Sequence, residues 1–242
     1  MALHFLLESS SDASVGDIVS LTGAEAKHAA VVRRLRVGET VTVGDGSGVW
    51  LAGVAEDVSP SQVDVRISER TEHAAPSPRI VLVQALAKGD RDELAVQAAC
   101  ELGVDEIVPW QASRSVSRWD GPKAIKGRER WASIVREAAK QAHRAWVPEV
   151  SAPVSTAQLV ERVAVQRVLL LDPTAEVRLS DLTPDGRDIV LVVGPEGGIS
   201  DEELRRLADA GAERVLLGET VLRTSTAGPA AIAVLSVALD RW

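Results

Sequence analysis

Between residues 16 and 70 apolar and polar side chains alternate over short runs, the two-residue period of half-buried β-strands. Residues 17–21, 40–44, 49–55 and 62–68 carry the pattern, and Asp45-Gly46 and Ser59-Pro60 punctuate it as turns. Short strands at that spacing predict a small β-barrel. One stretch breaks the period: over 24–35, Ala29, Val32 and Leu35 recur at helical spacing, which predicts a single helical insert carrying Lys27, Arg33 and Arg34. Residues 71–79, with Pro76 and Pro78 among small polar residues, read as a linker.

Beyond the linker the period changes. Apolar runs at 80–86, 106–109, 168–171, 189–193 and 214–217 alternate with helical patterns at 91–102, 126–145, 201–210 and 226–239. Strands alternating with helices predict an α/β domain built on a largely parallel sheet covered on both faces. The expected domains are 1–72, a linker at 73–79, and 80–242.

Composition narrows the setting. A chain of 242 residues, 45% hydrophobic and 26% charged, buries its cores without staples, and its lone cysteine, Cys100, excludes a disulfide framework. No apolar run reaches the roughly 18 residues of a membrane span, and the amino terminus lacks the basic start of a secretion signal. A cytoplasmic protein without a membrane or metal partner is expected. The net charge of −8 argues against a nucleic-acid partner until its distribution is considered. Residues 114–144 hold nine Lys or Arg against three acids, a balance of +6, whereas 172–222 hold twelve acids against five arginines, a balance of −7. Such segregation leaves one region fit to meet phosphates.

Ligands of open α/β sheets bind at the carboxyl ends of the strands. Three of those ends stand out: 169–171 runs into Asp172-Pro173, 190–193 into Gly194-Pro195-Glu196-Gly197-Gly198, and 215–217 into Gly218-Glu219-Thr220-Val221-Leu222-Arg223. Glycine there lets the backbone approach a ligand and offer its own donors and acceptors. No Gly-Lys-Ser/Thr follows, so a P-loop is excluded, and Gly-x-Gly-x-x-Gly is absent from all three turns. Ser200 and Glu203 form a capping box that opens the next helix.

The stretch LVVGPEGGISDEEL at 191–204, followed by LGETVLRTST at 217–226, resembles the signature of the RsmE family of SPOUT-class RNA methyltransferases. QALAKG at 84–89, ELGV at 101–104, RSV at 114–116 and the segment from Arg130-Trp131 through EAAKQ to Arg144 agree, as does the stretch from Ala26-Lys27-His28 to Arg34-Leu35-Arg36. The likeness spans essentially the whole chain. It implies a carboxy-terminal trefoil-knotted, parallel-sheet methyltransferase domain behind a small PUA-like RNA-binding barrel. The implied protein is a homodimer that uses S-adenosylmethionine to methylate N3 of a uridine, uridine 1498, in 16S rRNA of the small ribosomal subunit. Cofactor residues are then expected at Leu171, at Gly194, Pro195, Glu196, Gly197 and Gly198, and at Leu217, Gly218, Val221, Leu222 and Arg223. RNA-binding residues are expected at Lys27, His28, Arg33, Arg34 and Arg36. Two positions depart from the family pattern: Ala98 replaces its usual lysine and Ser225 its usual glutamate. Ser225 and Thr226 remain able to cap the final helix.

Transfer of a methyl group to a uracil nitrogen requires loss of the N3 proton and stabilisation of the resulting charge. Arg114 and Arg223, with planar forks of donors, suit that task. Glu137, Gln141 and Arg144, four and three residues apart, are expected on one helix face lining the base. His143 is the one histidine of the basic region, and packing is its commoner use; Glu196 is expected to bond backbone N–H groups. Trp110, Trp119, Trp131 and Trp146 fit packing better than base stacking. Two alternatives stay open: a SPOUT enzyme acting on tRNA, and a non-catalytic RNA-binding assembly factor.

Overall fold

The computed structural model describes residues 2–242, with Met1 outside them. The chain forms two compact units, Met1–Ala75 together with Ala139–Val147, and Pro76–Ala138 together with Pro148–Trp242.

The first unit is a five-stranded sheet made of β1 (Leu3–Leu6), β2 (Ile18–Thr22), β3 (Thr40–Gly44), β4 (Val49–Val58) and β5 (Gln62–Glu72), in the order β1-β3-β4-β5-β2. β1 runs parallel to β3 and the other pairings are antiparallel. Among the described residues no ladder joins β1 to β2, so the ring expected from the strand spacing is open at that seam. The two-residue period survives as burial: Val41 and Val43, Val63, Val65 and Ile67 point inward. Asp45 builds the β3–β4 turn by accepting the N–H groups of Ser47 and Val49 at 2.7 and 3.0 Å. The helical insert differs from the expected single helix. It is α1 (Gly23–Lys27) followed by one π turn over His28–Val32, and it stops where Arg34 turns left-handed, at φ 55°. Its Ala26 and Ala29, with Leu35, complete the apolar core of the unit.

The second unit contains β6 (Ile80–Ala85), α2 (Arg91–Glu101), β7 (Glu106–Trp110), α3 (Pro122–Gln141, its last three residues counted with the first unit), β8 (Glu149–Val150), α4 (Thr156–Arg162), β9 (Arg167–Leu171), β10 (Ile189–Val193), α5 (Asp201–Asp209), β11 (Glu213–Val215) and α6 (Thr224–Ala238). Its six strands are all parallel, in the order β11-β9-β10-β6-β7-β8. Every residue of β6 and β10 is buried, and all but Gln84 are apolar, as suits strands covered on both faces. Val81, Val83, Val190 and Val192 pack with Leu159 of α4 and Leu207 of α5. Full burial of side chains of this size stabilises by about 1.5–3 kcal/mol each. On α6, Gly228 sits so close to Leu82 and Val193 that a Cβ there would lie 2.9 Å from Leu82 Cδ1, so the missing side chain is what lets helix and sheet approach.

Helix α3 starts earlier than its periodicity suggests, at Pro122, a residue favoured in the first helical turn, and ends earlier, because His143 adopts φ 54° just past the last turn. Arg144 therefore lies outside the helix, and the helix face expected to join it with Glu137 and Gln141 does not exist. The chain also departs from the contiguous 80–242 domain, since Ala139–Val147 pack with the first unit. There Lys140 pairs with Glu25 of α1 at 2.9 Å, and His143 lies 5.6 Å from the ring of His4 and 6.3 Å from Trp50. His143 is thus a packing residue. Trp110 and Trp131 are fully buried, in keeping with the packing reading of the tryptophans. No helix of the described residues is long and apolar enough to cross a membrane.

Candidate functional site

A pocket of about 660 Å³ opens in the second unit at the carboxyl ends of β9 and β10 and the start of α6. A smaller groove of about 70 Å³ beside it is lined by Leu217 and Gly218 and shares Leu171, Asp172, Val221 and Leu222 with the pocket. The three turns singled out in the sequence therefore meet at one place. Leu171, Gly194, Pro195, Glu196, Gly198, Val221, Leu222 and Arg223 line the pocket. Gly197 does not line it; its carbonyl points away to accept from Arg114 at 3.1 Å.

The loop 194–198 owes its shape to its glycines and to partners on other segments. Gly198 stands at φ 72°, and its N–H closes a turn onto Pro195 O at 2.8 Å. A Cβ on Gly194 would lie 2.8 Å from Ile199 Cγ1 and 3.0 Å from the Ile199 nitrogen. Glu196 reaches across to the segment after β6, accepting the Lys88 N–H and an Arg91 donor, each at 3.0 Å. Partial burial works against its ionisation, but those bonds and the neighbouring backbone outweigh it and hold the carboxyl below its ordinary range. The carbonyl of Gly194 accepts from Thr224 Oγ1 at 2.8 Å, and the buried Gln84 donates to the same hydroxyl at 2.9 Å. Thr224 thereby begins α6. Its N-cap is Arg223, without a side-chain cap, so Ser225 and Thr226 do not take the capping role expected of them.

Asp172, only 6% exposed, forms another wall. Burial opposes its charge, yet the backbone and hydroxyl of Thr174 and the guanidinium of Arg214, whose Nε lies at 2.7 Å, keep it below the ordinary carboxylate range. Asp172, Glu196 and Asp201 face Arg91 and Arg223 across a lining otherwise apolar at Leu171, Val193, Leu204 and Leu222. An apolar lining for an aromatic ring, glycine backbone for its edge and, at Asp201, a carboxylate without an ion-pair partner among the described residues make a donor set that fits S-adenosylmethionine, and the volume suits a ligand of that size.

Arg114 stands on the loop after β7, exposed, with Nη1 bonded to Gly197 O and, at 3.4 Å, to Ile199 O. Arg114 and Arg223 thus flank the same loop. Glu137, Gln141 and Arg144 are not among the pocket residues. In the first unit Lys27, Arg33, Arg34 and Arg36 are exposed, whereas His28 is half-buried with its ring edge-on to Phe5 at 6.4 Å. The sequence missed Arg91, Asp201 and Thr224 as lining residues. Thr224 had a signal, since it directly follows the arginine of the third turn; Arg91 and Asp201 had none, because which helix starts face the pocket depends on strand order.

A parallel sheet with such a pocket at its carboxyl edge and a small β unit with exposed basic residues suit a transferase that acts on RNA, and the comparisons with known proteins show that class. Residues 74–236 match the model of the RNA methyltransferase domain, and 21–68 that of the RNA methyltransferase PUA domain. The ribosomal RNA small subunit methyltransferase E of Mycobacterium tuberculosis is 41% identical over 100% of this chain and 94% of its own length. That of Bacillus subtilis is 31% identical over 90% and 89%. Among solved structures, a methyltransferase from Legionella pneumophila in complex with S-adenosylmethionine matches with a TM-score of 0.87 at 33% identity. The Neisseria gonorrhoeae methyltransferase E bound to S-adenosylmethionine matches at 0.88 and 30%; each alignment covers 98% of both chains. The chain belongs to the ribosomal RNA small subunit methyltransferase E family.

Proposed function

We propose that the protein transfers a methyl group from S-adenosylmethionine to N3 of a uridine in 16S rRNA of the small ribosomal subunit, at uridine 1498, giving 3-methyluridine. The observation that carries this reading is the convergence of three strand-end turns on one pocket, flanked by Arg114 and Arg223, in a member of this family. When bound, S-adenosylmethionine supplies an electrophilic methyl group on a sulfonium sulfur. Leu171, Gly194, Pro195, Glu196, Gly198, Leu217, Gly218, Val221 and Leu222 hold it, while Gly197 keeps the loop in shape. Arg114 and Arg223 hold the base and draw off the negative charge that spreads from N3 to the flanking carbonyl oxygens once the N3 proton leaves. Asp172 and Glu196 are each tied to an arginine and to backbone N–H groups. Neither is poised as a base, and bulk water is the proton's destination in this scheme.

Gln141 and Arg144, which pack with the first unit, join Lys27, Arg33, Arg34 and Arg36 as RNA contacts. A trefoil knot is part of the reading. The segment after β11 bonds to the loop after β9, through Leu216 N–H to Val177 O and Leu179 N–H to Leu216 O, and at Thr224 to the loop after β10. Those are bonds that a segment threaded between the two loops would make. Homodimerisation, which the family resemblance implies, is part of the same reading. So is a cytoplasmic location, because the substrate is ribosomal RNA.

The test is methyl transfer in vitro: small subunits that lack the modification, incubated with the protein and methyl-labelled S-adenosylmethionine, then digested to nucleosides. Label in 3-methyluridine is expected. Label in another nucleoside, or none, rejects the assignment.

A further inference from the structure

The Glu203 carboxylate, 6% exposed at the start of α5, accepts hydrogen bonds from three separate segments of the second unit. Ser200 donates its N–H at 3.3 Å and its hydroxyl at 2.8 Å. Ser113 donates its N–H at 2.9 Å and its hydroxyl at 2.7 Å, and Thr156 Oγ1 at the start of α4 donates at 2.9 Å. A capping box requires only the exchange between Ser200 and Glu203. The bonds from Ser113 and Thr156 contribute nothing to the first turn of α5, so they serve something else.

What they fix is the surroundings of Arg114. Ser113 precedes it in the chain, and Ser200 follows Ile199, whose carbonyl, with that of Gly197, accepts from Arg114 Nη1. One buried anion therefore anchors both the backbone that carries Arg114 and the end of the loop that holds the methyl donor. Arg114 Nε and Nη2 have no hydrogen-bond partner among the described residues, which leaves them to meet a substrate. Burial opposes the charge on Glu203, but the bonds from Ser113, Ser200 and Thr156 outweigh it, so the anchor stays ionised below the ordinary glutamate range.

We propose that Glu203 is a positioning residue for methyl transfer: through Ser113 it sets where the unengaged donors of Arg114 stand relative to the loop 194–198, and hence to the base. The proposal rests on the methyltransferase reading above. A misplacement of about 1 Å between a catalytic group and its target can cost on the order of a hundredfold in rate.

The experiment uses the full-length protein and four variants: Glu203→Gln, which keeps the volume but exchanges an acceptor for a donor, Ser113→Ala, which leaves the capping box intact, Arg114→Ala, and the double variant of the last two. Calorimetry gives the S-adenosylmethionine Kd, labelled transfer to small subunits gives kcat and KM, and thermal unfolding gives Tm. Glu203→Gln and Ser113→Ala should each lower kcat by about tenfold or more. Ser113→Ala should leave the S-adenosylmethionine Kd within about threefold of wild type, and adding it to Arg114→Ala should cause no further loss, because both act through one guanidinium. If Glu203→Gln fails to fold, Ser113→Ala carries the test. Unchanged kcat in Ser113→Ala, or losses that multiply in the double variant, overturns the proposal. A wild-type protein that transfers no methyl group rejects the functional reading instead.

Discussion

Gly194→Ala tests whether the pocket is built as described. The new Cβ would stand 2.8 Å from Ile199 Cγ1, 3.0 Å from the Ile199 nitrogen and 3.2 Å from the Gly198 carbonyl carbon, where ordinary contact begins at 3.4 Å. Gly194 is not among the residues with positive φ, so alanine suffers no conformational penalty and the whole cost is steric. A side chain alone cannot relieve it, because two of the three atoms are backbone of the same loop. Overpacking of this kind costs about 1–3 kcal/mol. The loop must open to accommodate the methyl group, and its backbone is the pocket wall, so binding re-imposes the clash. Between roughly 5-fold and 150-fold of S-adenosylmethionine affinity should be lost, with a Tm decrease of about 2–10 °C for a chain of this length. Gly53→Ala, in β4 of the first unit, is the comparison: its Cβ would collide with Arg66 O and lie 2.7 Å from Val65 Cγ1. It should lower Tm and leave the affinity intact. Calorimetry and thermal unfolding on both variants decide the matter. Wild-type affinity in Gly194→Ala, or an equal loss in Gly53→Ala, would refute the reasoning.

Three further outcomes follow from other sites. Arg241 bonds Asp105 Oδ2 at 2.8 Å and the carbonyls of Pro78 and Gly103, and Asp105 is 5% exposed at its side chain. Arg241→Ala should therefore cost about 1–3 kcal/mol in urea unfolding, from the charge-assisted bonds it gives up to Asp105 and the two carbonyls; a loss under about 0.5 kcal/mol would show that the clamp is idle. Burial first, then His143 and Lys140, lower the pKa of His4 from 6.5 to about 4. The unfolded chain thus takes up a proton before the folded one does, and about 3 kcal/mol of stability should disappear as pH falls from 6.5 to 4. His4→Asn should flatten that slope, and an unchanged slope would assign the loss to other groups. Reversal of Arg33 and Arg34 to Glu should weaken association with small subunits, more so as salt rises, without changing the S-adenosylmethionine Kd; equal binding by the variant would place the RNA surface elsewhere.

The parts legible in the sequence are those where local pattern and tertiary role coincide. The centres of β6 and β9 and the whole of β10 are buried, so they appear as apolar runs, and the glycine turn after β10 marks the ligand edge. β1 and β8 were not legible because four and two residues are too few to show a period. The seven-residue α4 carries a Ser155–Gln158 capping box, a signal present in the sequence but overlooked. The end of α3 was misplaced because nothing local announces that His143 turns left-handed; packing against His4 and Trp50 accompanies that turn. Arg91 joined the pocket wall through its bond to Glu196, 105 residues further along the chain, and Arg144 left the helix face where His143 turns left-handed. Periodicity does not encode such contacts.

The most direct test of the account is mass spectrometry of 16S rRNA from a strain lacking the gene. The account predicts that 3-methyluridine at position 1498 disappears, returns with the wild-type gene and does not return with Arg114→Ala. An unchanged 3-methyluridine content in the deletion strain would contradict it.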